Sequence, residues 1–188
     1  MHPRGWLALA LLGVSIHAHA DEAELYLSTQ SIQGRYATGA DLIGLGAGNL
    51  AGEVFTNEQD DLIGAVGLEF AGTPAGASSV VLSAGPKVYG GTLDFVDDNF
   101  LAVAVGGKAS TAVNAAQSLY LTGQFFYAPE IVSFGEAEKV MDLTLRLESE
   151  FVQNLTGFLG YRVFEVDLDN NTEYELDEDV HVGVRYSF

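Results

Sequence analysis

Along residues 140–151 apolar and polar side chains alternate one by one. Met141, Leu143, Leu145, Leu147 and Phe151 fall on one face, and Asp142, Thr144, Arg146, Glu148 and Glu150 on the other. A period of two belongs to a β-strand with two unlike faces. The same alternation recurs at 99–108, 118–128 and 180–188, and more weakly at 41–51, 60–71, 79–90 and 155–168. In the last of these it changes phase near Phe164, where Glu165 and Asp167 join the face of Leu159, Tyr161 and Val163. These segments run to about ten to thirteen residues, longer than strands of soluble sheets and long enough to cross a bilayer at a tilt. Residues 23–37 read as a short hairpin with Leu25, Leu27 and Ile32 as its apolar points, its first arm too short to span alone. The predicted fold is all-β: a transmembrane antiparallel up-and-down β-barrel of eight full-length strands, ten if the short N-terminal hairpin joins.

Residues 1–20 have the parts of a secretory signal peptide: Arg4, an apolar core from Trp6 to Ile16, and the small-x-small site Ala18-His19-Ala20. The chain thus divides into a signal segment, 1–20, and a barrel, 21–188. No later stretch is long and apolar enough for a transmembrane helix. Cleavage removes three of the four histidines, leaving His181, and one of the eight bases, Arg4. With no cysteine, thiolate metal sites and disulfides are excluded.

Charge sharpens the picture. The 188 residues carry 26 acidic and 8 basic side chains, a net charge of -18. Such a chain is repelled by phosphate backbones, which argues against nucleic acid as a partner. Eighteen of the acids fall in the links 52–60, 91–98, 129–139 and 169–177 or the strand ends beside them, all on one side of an up-and-down barrel. Long loops on one side are the membrane-barrel layout. Strand parity instead puts Lys87, Lys108, Arg146, Arg162 and Arg185 on the polar face, with Glu69, Asp142, Glu148, Glu150 and His181. Mixed charges on one face predict a paired interior network, since an interior charge must be paired or wet. Gly44, Gly46, Gly48, Gly67, Gly85, Gly106 and Gly160 leave it room, so a plugged barrel is expected. Counting outward from a tight Gln153-Asn154 turn, Arg162 is expected to pair with Glu148, with Glu150 as a further partner.

Several runs carry a family resemblance. They are Leu119-Tyr-Leu-Thr-Gly-Gln-Phe-Phe-Tyr-Ala-Pro-Glu130, Leu143-Thr-Leu-Arg-Leu-Glu148, Leu159-Gly-Tyr-Arg-Val-Phe-Glu-Val-Asp167 and Val182-Gly-Val-Arg-Tyr-Ser-Phe188. Over residues 79–188 the chain resembles the YfaZ family of bacterial outer-membrane proteins. The resemblance implies an outer-membrane barrel and supplies no catalytic residues. The ending, with Tyr186 and Phe188 after alternating valines, resembles the C-terminal assembly signature of outer-membrane barrels. It implies the barrel assembly machinery as a partner during biogenesis, alongside outer-membrane lipid and lipopolysaccharide.

Two further patterns bear on chemistry. Asp167, Asp169, Asn171, Glu173 and Glu178 have the spacing of a calcium loop, but Thr172 stands where such a loop needs glycine. A solvated acidic loop is the simpler reading. No cofactor is expected beyond Ca2+ or Mg2+ held loosely there. Asp179-x-His181 resembles the Asp-His half of omptin outer-membrane proteases, with Asp97-Asp98 as the candidate pair to complete it. An interior polar histidine is the better reading, and no enzyme is expected. The functional expectation is an integral outer-membrane barrel with acidic external loops, a plugged, salt-bridged interior and a structural or interaction role. A narrow channel for small solutes is the alternative, and an omptin-like hydrolase the remote one.

Overall fold

In the computed structural model, strand closure sets the count. The described residues are 21–42, 46–76, 79–94, 98–113, 118–135, 137–168 and 172–188. They form β1 (Glu22–Leu27), β2 (Ser31–Leu42), β3 (Gly46–Asn57), β4 (Leu62–Gly72), β5 (Val80–Leu93), β6 (Asp98–Ala112), β7 (Leu119–Ala128), β8 (Ser133–Gly135), β9 (Ala137–Val152), β10 (Leu155–Leu168) and β11 (Thr172–Ser187). Residues 1–20, read as a signal segment, lie outside this set, as do Gly44, Asp97, Asp169 and Asn171. Strands pair antiparallel with their chain neighbours, β9 taking the place after β7, and β5 pairs with β6. The circuit closes where β1 pairs with β11, from Glu22↔Ser187 to Leu27↔Val182. Beyond it, Asp21 and Phe188 exchange backbone hydrogen bonds of 3.0 and 2.9 Å. The short N-terminal hairpin is thus part of the wall, and the barrel has ten strands rather than eight. An eight-stranded sheet would leave β3 and β11 with open edges, each unpaired group costing several kcal/mol in lipid. β1 has only six residues; past it β2 continues at the termini end and β11 at the loop end.

β8 stands apart from this count. The chain leaves β7 at Pro129, makes one 3-10 turn at Glu130–Val132, and returns to pair Ser133–Gly135 with Phe100–Ala102 of β6.

Termini and the links 73–79, 113–118 and 153–154 share one end, here the termini end. The acidic links share the other, the loop end, as their spacing predicts. Their length is a correction: β3 runs on to Asn57, β5 to Leu93, and β9 and β11 begin at Ala137 and Thr172, so 52–57 and 172–177, most of two expected loops, are strand. β9 and β11 have 16 residues each. At about 3.4 Å per residue and a tilt near 40°, such a strand rises roughly 41 Å, against an apolar band of about 25 Å. The barrel therefore stands clear of the band at the loop end.

This projection explains the phase change at Phe164. Glu165 and Asp167 keep outward parity and Phe164, Val166 and Leu168 are buried inside, but the medium outside has changed from lipid to water. Within the band the pattern is reversed: Leu143, Leu145, Leu147, Leu159, Val180, Val182 and Val184 are exposed to the outside. Tyr127 and Tyr161 edge it toward the loop end, and Phe151, Tyr186 and Phe188 toward the termini end, all well exposed. Such aromatic rims suit membrane interfaces.

Glycine permits one close approach in the wall. A Cβ on Gly160 would lie 2.5 Å from the Leu145 carbonyl oxygen and 2.7 Å from the His181 ring. Backbone on one side and a packed ring on the other leave no way to yield. Gly160→Ala should therefore destabilise the barrel by about 1–3 kcal/mol, the usual cost of overpacking. Gly34→Ala, with nothing within 4 Å of the new atom, should be tolerated. Urea unfolding in detergent, followed by circular dichroism, separates the two.

Candidate functional site

Inward parity brings ionisable side chains from nine strands into one lumen. Toward the termini end Arg146 donates to Glu24 at 2.7 Å, and Arg185 donates to Glu148 at 2.6 Å and lies 3.7 Å from Glu24. Arg35 sits among Glu53 (3.4 Å), Glu69 (3.5 Å) and Glu22 (3.8 Å), and Lys108 is 3.8 Å from Glu69. In the middle, Arg162 grips Asp142 with two hydrogen bonds of 3.0 Å and donates to Gln33 at 2.6 Å. Lys87 bridges Glu53 (2.7 Å) and Asp142 (3.5 Å), and Tyr89 donates its hydroxyl to Asp142 at 2.8 Å. The Arg162 guanidinium also lies 4.5 Å from the Phe164 ring centre and 5.3 Å from that of Phe55, contacts that favour a desolvated cation.

Above this charged half the lumen turns apolar. Phe55, Tyr89, Leu93, Phe126, Phe164 and Leu176 belong to one buried cluster. A carboxylate ties the links over it: Asp61 accepts from Asn57 (2.9 Å), the Tyr174 hydroxyl (2.8 Å) and the Asp94 amide (2.8 Å). Among the charged groups toward the termini end, the free space measures about 20 Å³, room for about one water. At this level the charged side chains leave little free space between them.

The structure places Glu69, Lys87, Lys108, Asp142, Arg146, Glu148, Arg162 and Arg185 inside. Glu150 is a correction: it is exposed at the rim, accepting the Asn154 backbone N–H at 2.9 Å. The Arg162–Glu148 pairing is another. Glu148 stands opposite Phe158, and Arg162 opposite Thr144, because a register shift between Leu155 and Thr156 moves the hairpin by one residue. That puts Asp142, two residues beyond Thr144 on the same face, in diagonal reach of Arg162, and frees Glu148 for Arg185. The sequence reading missed Glu24, Gln33, Arg35 and Glu53. The signal was present, since Glu24 and Tyr26 alternate with Leu25 and Leu27, but β1 is short and Glu53 had been assigned to a link.

His181 lies inside, 1% exposed, with its ring centre 4.3 Å from that of Tyr26. Neither ring nitrogen has a hydrogen-bond partner among the described residues. Asp179 accepts instead from the Thr29 hydroxyl and from the Val180 amide at 2.6 Å. The Asp-His pair is not assembled for water activation. The calcium-loop spacing also lies on strands: Asp167 and Glu173 are cross-strand partners, and Glu178 faces Val163, four residues from Asp167. Along a strand that is about 13 Å, too far for one ion. Asp167 is held by Lys139 at 2.7 Å, and Glu178 accepts from the Tyr161 hydroxyl at 2.8 Å.

Comparison with known proteins gives three findings. The model of the family described as YfaZ precursor matches residues 7–188. No curated protein matches the chain. Among solved structures, the outer membrane channel DcaP of Acinetobacter baumannii aligns at 13% identity with a TM-score of 0.42, over 93% of this chain and 61% of its own. This chain thus spans less than two thirds of that protein's length. The KdgM porin aligns at 14% identity and a TM-score of 0.47, over 90% of this chain and 99% of its own. Its complex with disordered oligogalacturonate gives 0.46 at the same identity and coverage.

Two outcomes follow from this geometry. Arg162→Ala should lower stability by about 3–5 kcal/mol by stranding a buried carboxylate. A double-mutant cycle should couple Arg162 to Asp142 by more than about 1 kcal/mol, and Arg162 to Glu148 by nothing measurable. At the projecting tip, partial burial and then the charges of Glu173, Glu175, Asp167 and Glu178 raise the pKa of Glu165 above its ordinary 4.5. A group whose pKa rises on folding favours the fold when protonated. Its contribution is full below the ordinary glutamate range and is lost as pH rises through the higher folded value. Protection factors at 164–168 and 172–176, taken relative to the intrinsic exchange rate at each pH, should thus rise on acidification from neutral pH, and Glu165→Gln should flatten that dependence.

Proposed function

This chain belongs to the YfaZ family, and on that premise we propose that it is an integral outer-membrane barrel with a closed lumen, serving a structural or interaction role at the cell surface. The observation that carries this reading is the filled lumen, paired ions below and an apolar cap above. A porin keeps a water-filled interior instead. In this reading the termini end faces the periplasm and the projecting acidic strands face outward. Residues 1–20 are removed after Ala20, which leaves Asp21 to begin the wall.

The exterior is matched to lipid through its apolar band. At the loop end Lys139 is the one base outside the lumen among the described residues, and Asp167 occupies it. Contact with phosphate-bearing lipopolysaccharide then depends on Ca2+ or Mg2+ bridging the outward carboxylates, loosely and without a dedicated cage. Tyr186 and Phe188, outward on the closing strand, are the groups offered to the assembly machinery. We assign no catalytic role: His181 is buried among rings, away from Asp179's hydrogen bonds.

The test is single-channel recording in planar bilayers. The folded wild-type protein should insert and show no reproducible openings, whereas sustained openings overturn the closed reading in favour of a narrow channel. Cell fractionation supplies the second check, with the mature chain, beginning at Asp21, recovered in the outer membrane.

A further inference from the structure

The cap is not apolar all the way round. Phe126, Val140 and Leu93 fill the side built from β5, β7 and β9. The side built from β1, β2 and β11 buries polar groups at the same level. There the Tyr26 hydroxyl donates to Asp177, Ser28 donates to Asp177 at 3.2 Å, and the Ser28 and Ser31 hydroxyls lie 3.0 Å apart. Ser28 opens onto the exposed turn at Thr29 and Gln30.

This polar strip joins the charged half of the lumen. Tyr26 is the cross-strand partner of Gln33, Gln33 accepts from Arg162, and Arg162 leads through Asp142 to Lys87 and Glu53. Glu53 in turn reaches Arg35 and then Glu22, whose side chain is 37% exposed at the termini rim. A line of hydrogen-bonding groups therefore runs from one mouth to the other. It is crossed at one level only, where the Arg162 guanidinium lies 5.6 Å from the Tyr26 ring centre and His181 stacks on that same ring.

We propose that this strip is a closed path for water and small ions, and that the Tyr26 ring and the Arg162 guanidinium are its gate. Water enters a narrow passage where the walls offer hydrogen bonds and withdraws where they do not. Shortening a gate residue therefore lets water connect two polar compartments, whereas shortening a residue of the apolar side leaves a dry void. The groups left behind fix the selectivity. Without the Tyr26 ring, ions pass Arg162 in its pair with Asp142, beside the Asp177 carboxylate. Without Arg162, they pass Asp142 and Asp177.

This inference rests on the closed-lumen reading. Tyr26→Ala, Arg162→Ala and the control Phe126→Ala are compared with wild type in planar bilayers under a salt gradient, folding being checked by circular dichroism. Tyr26→Ala breaks no ion pair, so it keeps the test valid if Arg162→Ala fails to fold. Both gate variants should change from silence to reproducible small openings, while wild type and Phe126→Ala stay silent. Reversal potentials should lie further toward cation preference in Arg162→Ala than in Tyr26→Ala. Silence in the folded gate variants, or equal opening in Phe126→Ala, overturns the gate while leaving the closed lumen intact. Openings in wild type overturn the closed lumen and the gate with it.

Discussion

A sheet in lipid has no tolerance for an unpaired edge, because no water is there to take up the free amides and carbonyls. The pairing of β1 with β11 meets that requirement for the whole wall. Its consequences run inward. Ten strands enclose more space than eight, which is already enough for side chains to meet across a barrel. In this molecule the added space is occupied by aromatic rings such as Tyr89, Phe126 and Phe164 and by long charged side chains such as Arg35 and Lys87.

Charges in such a space are held by geometry. Removing two ions from water is costly, and attraction offsets that cost only where hydrogen bonding is nearly complete. The middle of the lumen meets this condition: Asp142 accepts from two Arg162 nitrogens and from Tyr89, with Lys87 beside it. One carboxylate from β9 thereby links groups on β5 and β10, and Gln33 extends the contact to β2. These contacts cross the barrel and brace walls that backbone pairing connects only to their neighbours.

The same strands serve two solvents. Inside the membrane band the exterior is apolar and the lumen polar; above it, Glu165, Asp167 and Glu173 face water while Phe164, Val166 and Leu168 form a core. β10 keeps its parity across this boundary, whereas β11 takes up a bulge there that buries Leu176 and Asp177 in succession. The medium outside changes, and the best side chain for each face changes with it. That inversion also places the apolar cluster of Phe55, Phe126 and Phe164 in the part of the barrel that stands in water.

How much of this was legible follows from what is local. Alternation along β9 and β11 identified strands, their lengths pointed to a membrane, and parity alone put Lys87, Asp142, Arg146 and Arg162 inside, because the direction of a side chain along a strand is fixed by the backbone every second residue. Partner choice was not local. Arg162 meets Asp142 instead of Glu148 because a one-residue register shift beside the Gln153-Asn154 turn moves every pair above it, and nothing in the alternation records such a shift. Strand count was beyond the sequence for a similar reason. β1 is too short to be convincing alone, and its place follows from the need of β2 and β11 for a neighbour, a condition that exists only once the sheet has curved back on itself. The chain therefore determined which face each residue presents, and closure of the barrel decided which residues meet across it.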